Sequence, residues 1–155
     1  MPASSDAVGH LSGQASTAVD VFGGLTGQEL VVDELKRAAA VADAVLTGRS
    51  VENSARAGWA GRMAHAWLLT GPPGSGRSVA ARAFAAALLC PQQGCGHCPS
   101  CHQVQAGSHA DLMLVRPDGL SYGVKQTREL VLRAATSPVG GRWHVVLFED
   151  ADRAT

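Results

Sequence analysis

Apolar residues recur along the chain with two periods, which predict alternating helices and strands. Helical spacing of apolar residues predicts helices over about 27–46 and 124–136, and an alanine-rich, helix-forming composition predicts a third over 79–89. Short continuous apolar runs predict three buried strands, at 66–70, 111–115 and 144–148. Strands that alternate with helices favour an α/β fold with a parallel sheet.

Polar segments separate these elements. Residues 1–20 are small and polar, lack periodicity and are predicted to form a flexible leader. Thr26, with Glu29 three positions later, has the pattern of a capping box at the start of the first helix. A loop is predicted over 48–61, and a tight loop over 90–101 contains all four cysteines.

Length and charge limit the possible functions. The chain has 155 residues, with 13 Lys and Arg against 13 Asp and Glu, so it has the size of one domain and no overall basic field. With only 5% aromatic residues, it is not expected to bind nucleic acid independently. No apolar run approaches the ~20 residues of a membrane span, and residues 1–20 do not resemble a signal peptide. We therefore expect a cytoplasmic protein without a membrane partner, whose cysteines are metal ligands or thiols before disulfides.

A glycine-rich segment follows the first predicted strand and precedes a predicted helix. It matches the P-loop pattern G-x4-G-K-[ST], except that Arg77 replaces the Lys. In such a loop the backbone N–H groups hold a phosphate, and the final hydroxyl, here Ser78, ligates Mg²⁺. A planar guanidinium does not reproduce the compact ammonium of Lys. An ATP/Mg²⁺ site and a P-loop fold with a decayed nucleotide site both stay open. The candidate nucleotide-binding residues are Gly71, Pro72, Pro73, Gly74, Ser75, Gly76, Arg77 and Ser78.

The last predicted strand ends in two acids, Glu149 and Asp150, which resemble a Walker B motif. Ligands of open α/β sheets lie at the carboxyl ends of the strands. The usual order is Asp for the metal and then Glu for the attacking water, whereas here the order is reversed. The reversal displaces each carboxylate by about one C–C bond, ~1.5 Å, and catalysis is sensitive to shifts of ~1 Å. These two candidate catalytic residues are therefore interpreted as degenerate.

The cysteines have the spacing Cys90-x4-Cys95-x2-Cys98-x2-Cys101. Four thiolates at this spacing favour a tetrahedral, structural Zn²⁺ site without an open position. An iron–sulfur cluster and a redox dithiol are the alternatives. His97 and His102 lie beside these cysteines and are interpreted as solvated neighbours.

Together, these motifs resemble bacterial clamp-loader ATPases of the AAA+ class over about residues 21–154. The resemblance rests on the segment 21–29, the P-loop, the cysteines directly after the P-loop helix, the segment 137–143 and the acidic strand end. Most AAA+ proteins lack the cysteine module, which makes it the discriminating feature. The family includes the ATP-hydrolysing gamma/tau subunit of DNA polymerase III and the delta-prime subunit, whose nucleotide motifs are commonly degraded. Arg77 and the reversed acids favour the delta-prime subunit.

The resemblance implies a P-loop sheet flanked by helices, with an inserted zinc module at 90–101. Residues 21–155 would form the N-terminal part of an AAA+ domain that stops after Walker B, without the lid and collar domains. The family strand order places the strand at 66–70 between two strands that come later in a full subunit. Here that strand would lack partners, while those at 111–115 and 144–148 could pair.

The implied function is that of a non-catalytic subunit of the DNA polymerase III clamp loader in DNA replication. Its partners would be gamma/tau and delta, and through them the sliding clamp and primer–template DNA. Two alternatives remain: a gamma/tau-like ATPase, and a small zinc-binding adaptor on a P-loop scaffold.

Overall fold

The computed structural model describes residues 20–49, 64–117 and 123–153. Within them it contains four α-helices, α1 (Glu29–Thr47), α2 (Arg77–Leu89), α3 (Pro99–Gln105) and α4 (Val124–Ala134), and two strands, β1 (Leu112–Val115) and β2 (Val145–Phe148). A 3-10 turn, Ala151–Arg153, follows β2. None of these helices is long and apolar enough to cross a membrane. The predicted leader, except Asp20, and most of the loop predicted over 48–61 lie outside the described residues.

The first helix forms where its apolar spacing predicts it, but it does not begin with a capping box. Its N-cap is Gln28, which makes no side-chain cap hydrogen bond. The chain turns at Gly27, with φ +74°, between Thr26 and the helix, so Thr26 is not at the capping position. The helix ends at Gly48 in the left-handed conformation that glycine adopts most readily.

The second helix is the centre of the core. It is rich in alanine, and its buried residues cover both of its faces. One face packs against Phe22 and the apolar side of α1, including Leu35, and the other packs against Val104, Leu112 and Leu147. Small side chains allow neighbouring elements to approach the helix closely, so α2 is enclosed between α1 on one side and α3 with the sheet on the other.

The sheet has two parallel strands in the described part of the chain, which confirms the predicted parallel α/β arrangement. β1 pairs with β2 in a register that sets Leu112 beside Val145 and Val115 beside Phe148. Parallel strands have their carboxyl ends at the same edge of the sheet. That edge carries the acidic strand end.

The strand predicted at 66–70 is not formed. Among the described residues, no other strand pairs with its backbone, and the side chain of Leu68 is 80% exposed. Trp67 is half-buried and meets Phe84 edge-on, with ring centroids 5.2 Å apart. An apolar segment becomes a strand only when a neighbour bonds its N–H and C=O groups. The expectation that β1 and β2 pair without this segment is confirmed.

The cysteine segment is not a loop throughout, because α3 begins inside it. Cys98 is the N-cap of α3, and its sulfur accepts a hydrogen bond from the backbone N–H of Cys101. Pro99 occupies the first turn, where proline is well tolerated. The sequence pattern does not predict this helix, because its seven residues are too few for a clear apolar period.

Candidate functional site

The four cysteine sulfurs converge between the end of α2 and the start of α3. All four Sγ atoms lie within 4.8 Å of one another. The Sγ of Cys90 is 3.8 Å from that of Cys95 and 3.6 Å from that of Cys98. Cys90 and Cys101 are buried, while Cys95 and Cys98 are half-buried. The predicted ligand set is therefore brought together in space.

Local backbone geometry produces this convergence. Gln93, Gly94 and Gly96 have φ values of +54°, +94° and +80°, so the chain reverses tightly between Cys90 and Cys98. Backbone N–H groups then point at the sulfurs: Gln92 donates to the Sγ of Cys90 at 3.3 Å, and Cys101 donates to the Sγ of Cys98 at 3.4 Å. Such donors favour the thiolate, which is the form that binds metals.

The thiols differ in acidity. Burial alone would raise the pKa of the Cys90 thiol, but the N–H groups of Cys95, Gly94 and Gln92 outweigh it and lower the pKa to about 7. Burial raises the pKa of the Cys101 thiol. A bound cation would favour the thiolate form at every position.

The cluster is small enough to surround a single ion. A Zn–S bond of about 2.3 Å in a tetrahedron requires sulfurs about 3.8 Å apart. The two Sγ separations from Cys90, 3.6 and 3.8 Å, agree with that requirement, and all four Sγ atoms lie within 4.8 Å of one another. All four cysteines are free thiols. His97 and His102 are exposed, which agrees with their interpretation as solvated neighbours.

The glycine-rich segment forms a loop that leads into α2. Gly74 and Gly76 have φ values of +80° and +81°, and Gly76 is the N-cap of α2. The backbone N–H of Ser75 donates to the carbonyl of Pro72 at 3.2 Å. A methyl group placed at Gly71 would meet the Ser75 Oγ at 2.7 Å and the Arg77 Cδ at 3.8 Å, so both side chains fold back towards the start of the loop.

This loop borders a cavity of about 690 Å³. Arg77 and Gly76 line its polar side, and Leu25, Trp67 and Leu69 line its apolar side. The Oγ of Ser75 is buried and has no hydrogen-bond partner among the described residues. The cavity thus combines a glycine-rich loop and a guanidinium, both of which suit an anionic group, with an apolar wall.

The two acids at the end of β2 have different surroundings. Glu149 accepts hydrogen bonds from Arg116 and Arg82, and the Arg116 guanidinium contributes most to lowering the pKa of the Glu149 carboxyl. Asp150 is exposed, has a φ of +52°, and lies 4.0 Å from the Nε of Arg153. Glu149 is therefore held by two arginines, whereas Asp150 is exposed to solvent.

A buried carboxylate network beside the cysteine cage was not predicted. Asp43, on α1, accepts hydrogen bonds from Arg142 at 2.8 Å and from the side chain of Gln93 at 3.3 Å, and it pairs with Arg49. Arg142 also donates to the carbonyl of Leu88 at the end of α2. The sequence does indicate that Asp43 is buried, because it lies four residues after Ala39 and eight after Leu35, on the same face of α1.

Comparison with known proteins gives the family. Residues 48–155 match the family model described as "DNA polymerase III, delta subunit". The chain belongs to this family. The match confirms the resemblance to polymerase III subunits inferred from the motifs.

The relatives of this chain include gamma/tau subunits and delta' subunits of DNA polymerase III. The chain is 38% identical over 101 residues to the DNA polymerase III subunit gamma/tau of Mycobacterium tuberculosis H37Rv, covering 62% of this chain and 18% of the relative. It is 38% identical over 96 residues to the subunit delta' of Pseudomonas aeruginosa, covering 57% of this chain and 29% of the relative. It is 35% identical over 99 residues to the subunit delta' of Bacillus subtilis, covering 61% of this chain and 30% of the relative. The chain thus spans less than a third of these relatives' lengths. Comparison with solved structures gave no significant match.

Proposed function

We propose that the chain is a delta-prime-like subunit of the DNA polymerase III clamp loader, with a role in DNA replication in the cytoplasm and no ATP hydrolysis of its own. The family match over residues 48–155 carries the proposal. Its direct partners would be the gamma/tau and delta subunits, through which it would act on the sliding clamp and primer–template DNA. Residues 21–155 would be part of an AAA+ domain with a metal module at 90–101.

Three features of the nucleotide motifs support the absence of ATP hydrolysis. Arg77 stands in the position of the P-loop Lys. Glu149, at the metal-binding position, is already paired with two arginines. Asp150, at the position of the residue that activates water, is exposed at a turn with a positive φ. Catalysis by positioned carboxylates tolerates little misplacement.

We further propose that Cys90, Cys95, Cys98 and Cys101 hold one structural Zn²⁺. All four Sγ atoms lie within 4.8 Å of one another, which favours a single ion, whereas an iron–sulfur cluster must also accommodate several irons and bridging sulfides between its thiolates. Four protein ligands leave no open position, so the ion would cross-link the end of α2 to the start of α3 and would not act on a substrate.

A gamma/tau-like ATPase is the alternative function. It is supported by the 38% identity to the Mycobacterium tuberculosis gamma/tau subunit and by the otherwise complete P-loop pattern around Arg77. The two functions differ in hydrolysis: the alternative requires Mg²⁺-dependent turnover of ATP.

Two measurements test the proposal. Phosphate release from ATP and Mg²⁺ should equal the buffer background, and Arg77→Lys alone should not restore it, because both acids also depart from the active pattern. The immobilised chain should bind the purified gamma/tau subunit of the same organism saturably. Robust hydrolysis by the unmodified chain supports the ATPase alternative, and absence of gamma/tau binding contradicts membership of the complex.

A further inference from the structure

Glu149 occupies the position at which a P-loop protein binds Mg²⁺ through its acidic strand end. Its carboxylate is engaged at both oxygens. Oε2 accepts from the Nε of Arg116 at 2.7 Å, and Oε1 accepts from the Nη2 of Arg116 at 3.3 Å and the Nη2 of Arg82 at 3.1 Å. This two-point contact with Arg116 is the geometry in which a guanidinium binds a carboxylate most strongly.

The two arginines come from elements that meet at this edge of the sheet. Arg82 lies on α2, one helical turn after Ser78 and therefore on the same face. Arg116 directly follows β1, as Glu149 directly follows β2. The Glu149 side chain is only 21% exposed. The ion pairs thus join the P-loop helix to the carboxyl ends of both strands.

The residues at this position do not fit a magnesium ion. Mg²⁺ demands oxygen ligands at about 2.0–2.1 Å in octahedral geometry. Here two guanidinium groups, with the same total charge as one Mg²⁺, lie at hydrogen-bond distance from the carboxylate that would ligate it. An arriving cation would have to displace these groups and would be repelled by them.

We infer that Arg82 and Arg116 take the place of the divalent cation at Glu149, so that this site binds no Mg²⁺. The inference rests on the proposed assignment of residues 71–78 and 149–150 as a phosphate loop and an acidic strand end. The two motifs alone do not predict this ion pair, because Arg116 lies outside both of them.

The experiment uses Mn²⁺ as the probe, with Zn²⁺ already bound at the cysteines and free Mn²⁺ measured by electron paramagnetic resonance. The unmodified chain is expected to bind no more Mn²⁺ than the Glu149→Gln variant. The double variant Arg82→Gln/Arg116→Gln should bind one Mn²⁺ per chain, with an affinity at least about tenfold higher than that of the unmodified chain, because removing two positive charges frees the Glu149 carboxylate. Adding Glu149→Gln to it should abolish the gain.

A matched control is Arg128→Gln/Arg133→Gln, which removes the same charge from exposed positions of α4 and should leave Mn²⁺ binding unchanged. Circular dichroism establishes that each variant is folded. If the double variant does not fold, Arg116→Gln replaces it, because the Arg116 side chain is 60% exposed.

Two results would overturn the inference. One is that the unmodified chain binds one Mn²⁺ per chain and that Glu149→Gln abolishes this binding. The other is a folded arginine variant that binds no more Mn²⁺ than the unmodified chain. Failure to bind gamma/tau would contradict the proposed function but leaves the Mn²⁺ result interpretable, so the two failures are distinguishable.

Discussion

Asp43 is a buried acid whose role is structural. It connects α1 to the cysteine loop through Gln93 and to the segment before β2 through Arg142. Its side chain is 7% exposed and that of Arg142 is 18% exposed. Loss of the carboxylate would leave the Arg142 guanidinium without its partner in a poorly solvated position, which is costlier than loss of a surface ion pair.

The Asp43→Asn variant should be less stable at neutral pH by roughly 3 kcal/mol. The hydrogen bond from Arg142 lowers the pKa of the Asp43 carboxyl in the folded chain. Its stabilisation is therefore fully present above the unfolded pKa of about 3.9 and is lost as the pH falls through the lower, folded pKa. Urea unfolding between pH 7 and pH 2 should show the two proteins converging in acid.

Asp33→Asn is the matched control, since Asp33 lies on the exposed face of the same helix. It should change the free energy of unfolding at pH 7 by less than about 0.5 kcal/mol. Equal stability of Asp43→Asn and the unmodified chain at pH 7 would contradict the assignment of Asp43 as a structural carboxylate.

Replacement of Cys98 is the strongest single test of the proposed metal site. Cys98→Ser should release the metal, measured as zinc per chain by elemental analysis. It should lower the melting temperature by roughly 10 °C or more, because metal-binding energy is also folding energy. His102→Ala, at an exposed position on α3, should keep both metal and melting temperature. Recovery of iron with visible absorbance would contradict the zinc assignment.

At the scale of elements, the cysteine loop holds the segment that precedes α1. The N–H of Val21 donates to the carbonyl of Gly94 at 3.0 Å. Phe22 is then buried against α1 and α2, and Leu25 lies beside Gly76, the N-cap of α2. The cysteine cluster and the glycine-rich loop are therefore connected by a short segment, residues 21–25, that packs over α2.

Gly94→Ala should loosen this contact. A methyl group at Gly94 would lie 2.6 Å from a methyl carbon of Val21 and 3.3 Å from the Cβ of Ala87, and the φ of +94° disfavours any side chain. The Val21 amide should lose protection from hydrogen exchange, and the free energy of unfolding should fall by about 2 kcal/mol.

Gly48→Ala separates the clash from the backbone strain. Gly48 also has a positive φ, +64°, but nothing lies within 4 Å of an added methyl group. It should cost only about 1 kcal/mol. Equal losses in the two variants would mean that the contact with Val21 contributes nothing to stability.

At the scale of the whole molecule, the apolar segment at 66–70 has no strand partner among the described residues. Within the described residues, the backbone at 66–70 is not part of the two-stranded sheet, and Leu68 is 80% exposed beside the 690 Å³ cavity. Unpaired backbone groups next to exposed apolar side chains are a template for pairing with another chain.

The chain is therefore expected to self-associate through residues 66–70. Light scattering should show association that Leu68→Lys reduces, whereas Val124→Lys, at a similarly exposed apolar position on α4, should not. Hydrogen exchange should be fast at 66–70 and slow at 90–101. A monomer with a cooperative thermal transition and full protection of 66–70 would contradict this expectation.

The amino-acid sequence by itself determined most of the helices, the two apolar runs that form β1 and β2, and the four cysteines as one cluster. These features depend on local periodicity and short spacing: the apolar period of α1, the continuous runs at β1 and β2, and cysteines within twelve positions of one another. Interactions of this range are encoded by neighbours in the chain, so a pattern is sufficient to predict them.

The tertiary structure alone decided the fate of residues 66–70 and the partners of the acids. The run at 66–70 contains Trp67, Leu68 and Leu69, but a strand also requires a second strand to pair with, which the composition of the run does not determine. Asp43 and Arg142 are 99 positions apart, and Glu149 lies 67 positions from Arg82 and 33 from Arg116. Whether a carboxylate binds a metal ion or a guanidinium depends on which side chains folding brings within about 3 Å of it, and no spacing along the chain specifies those side chains.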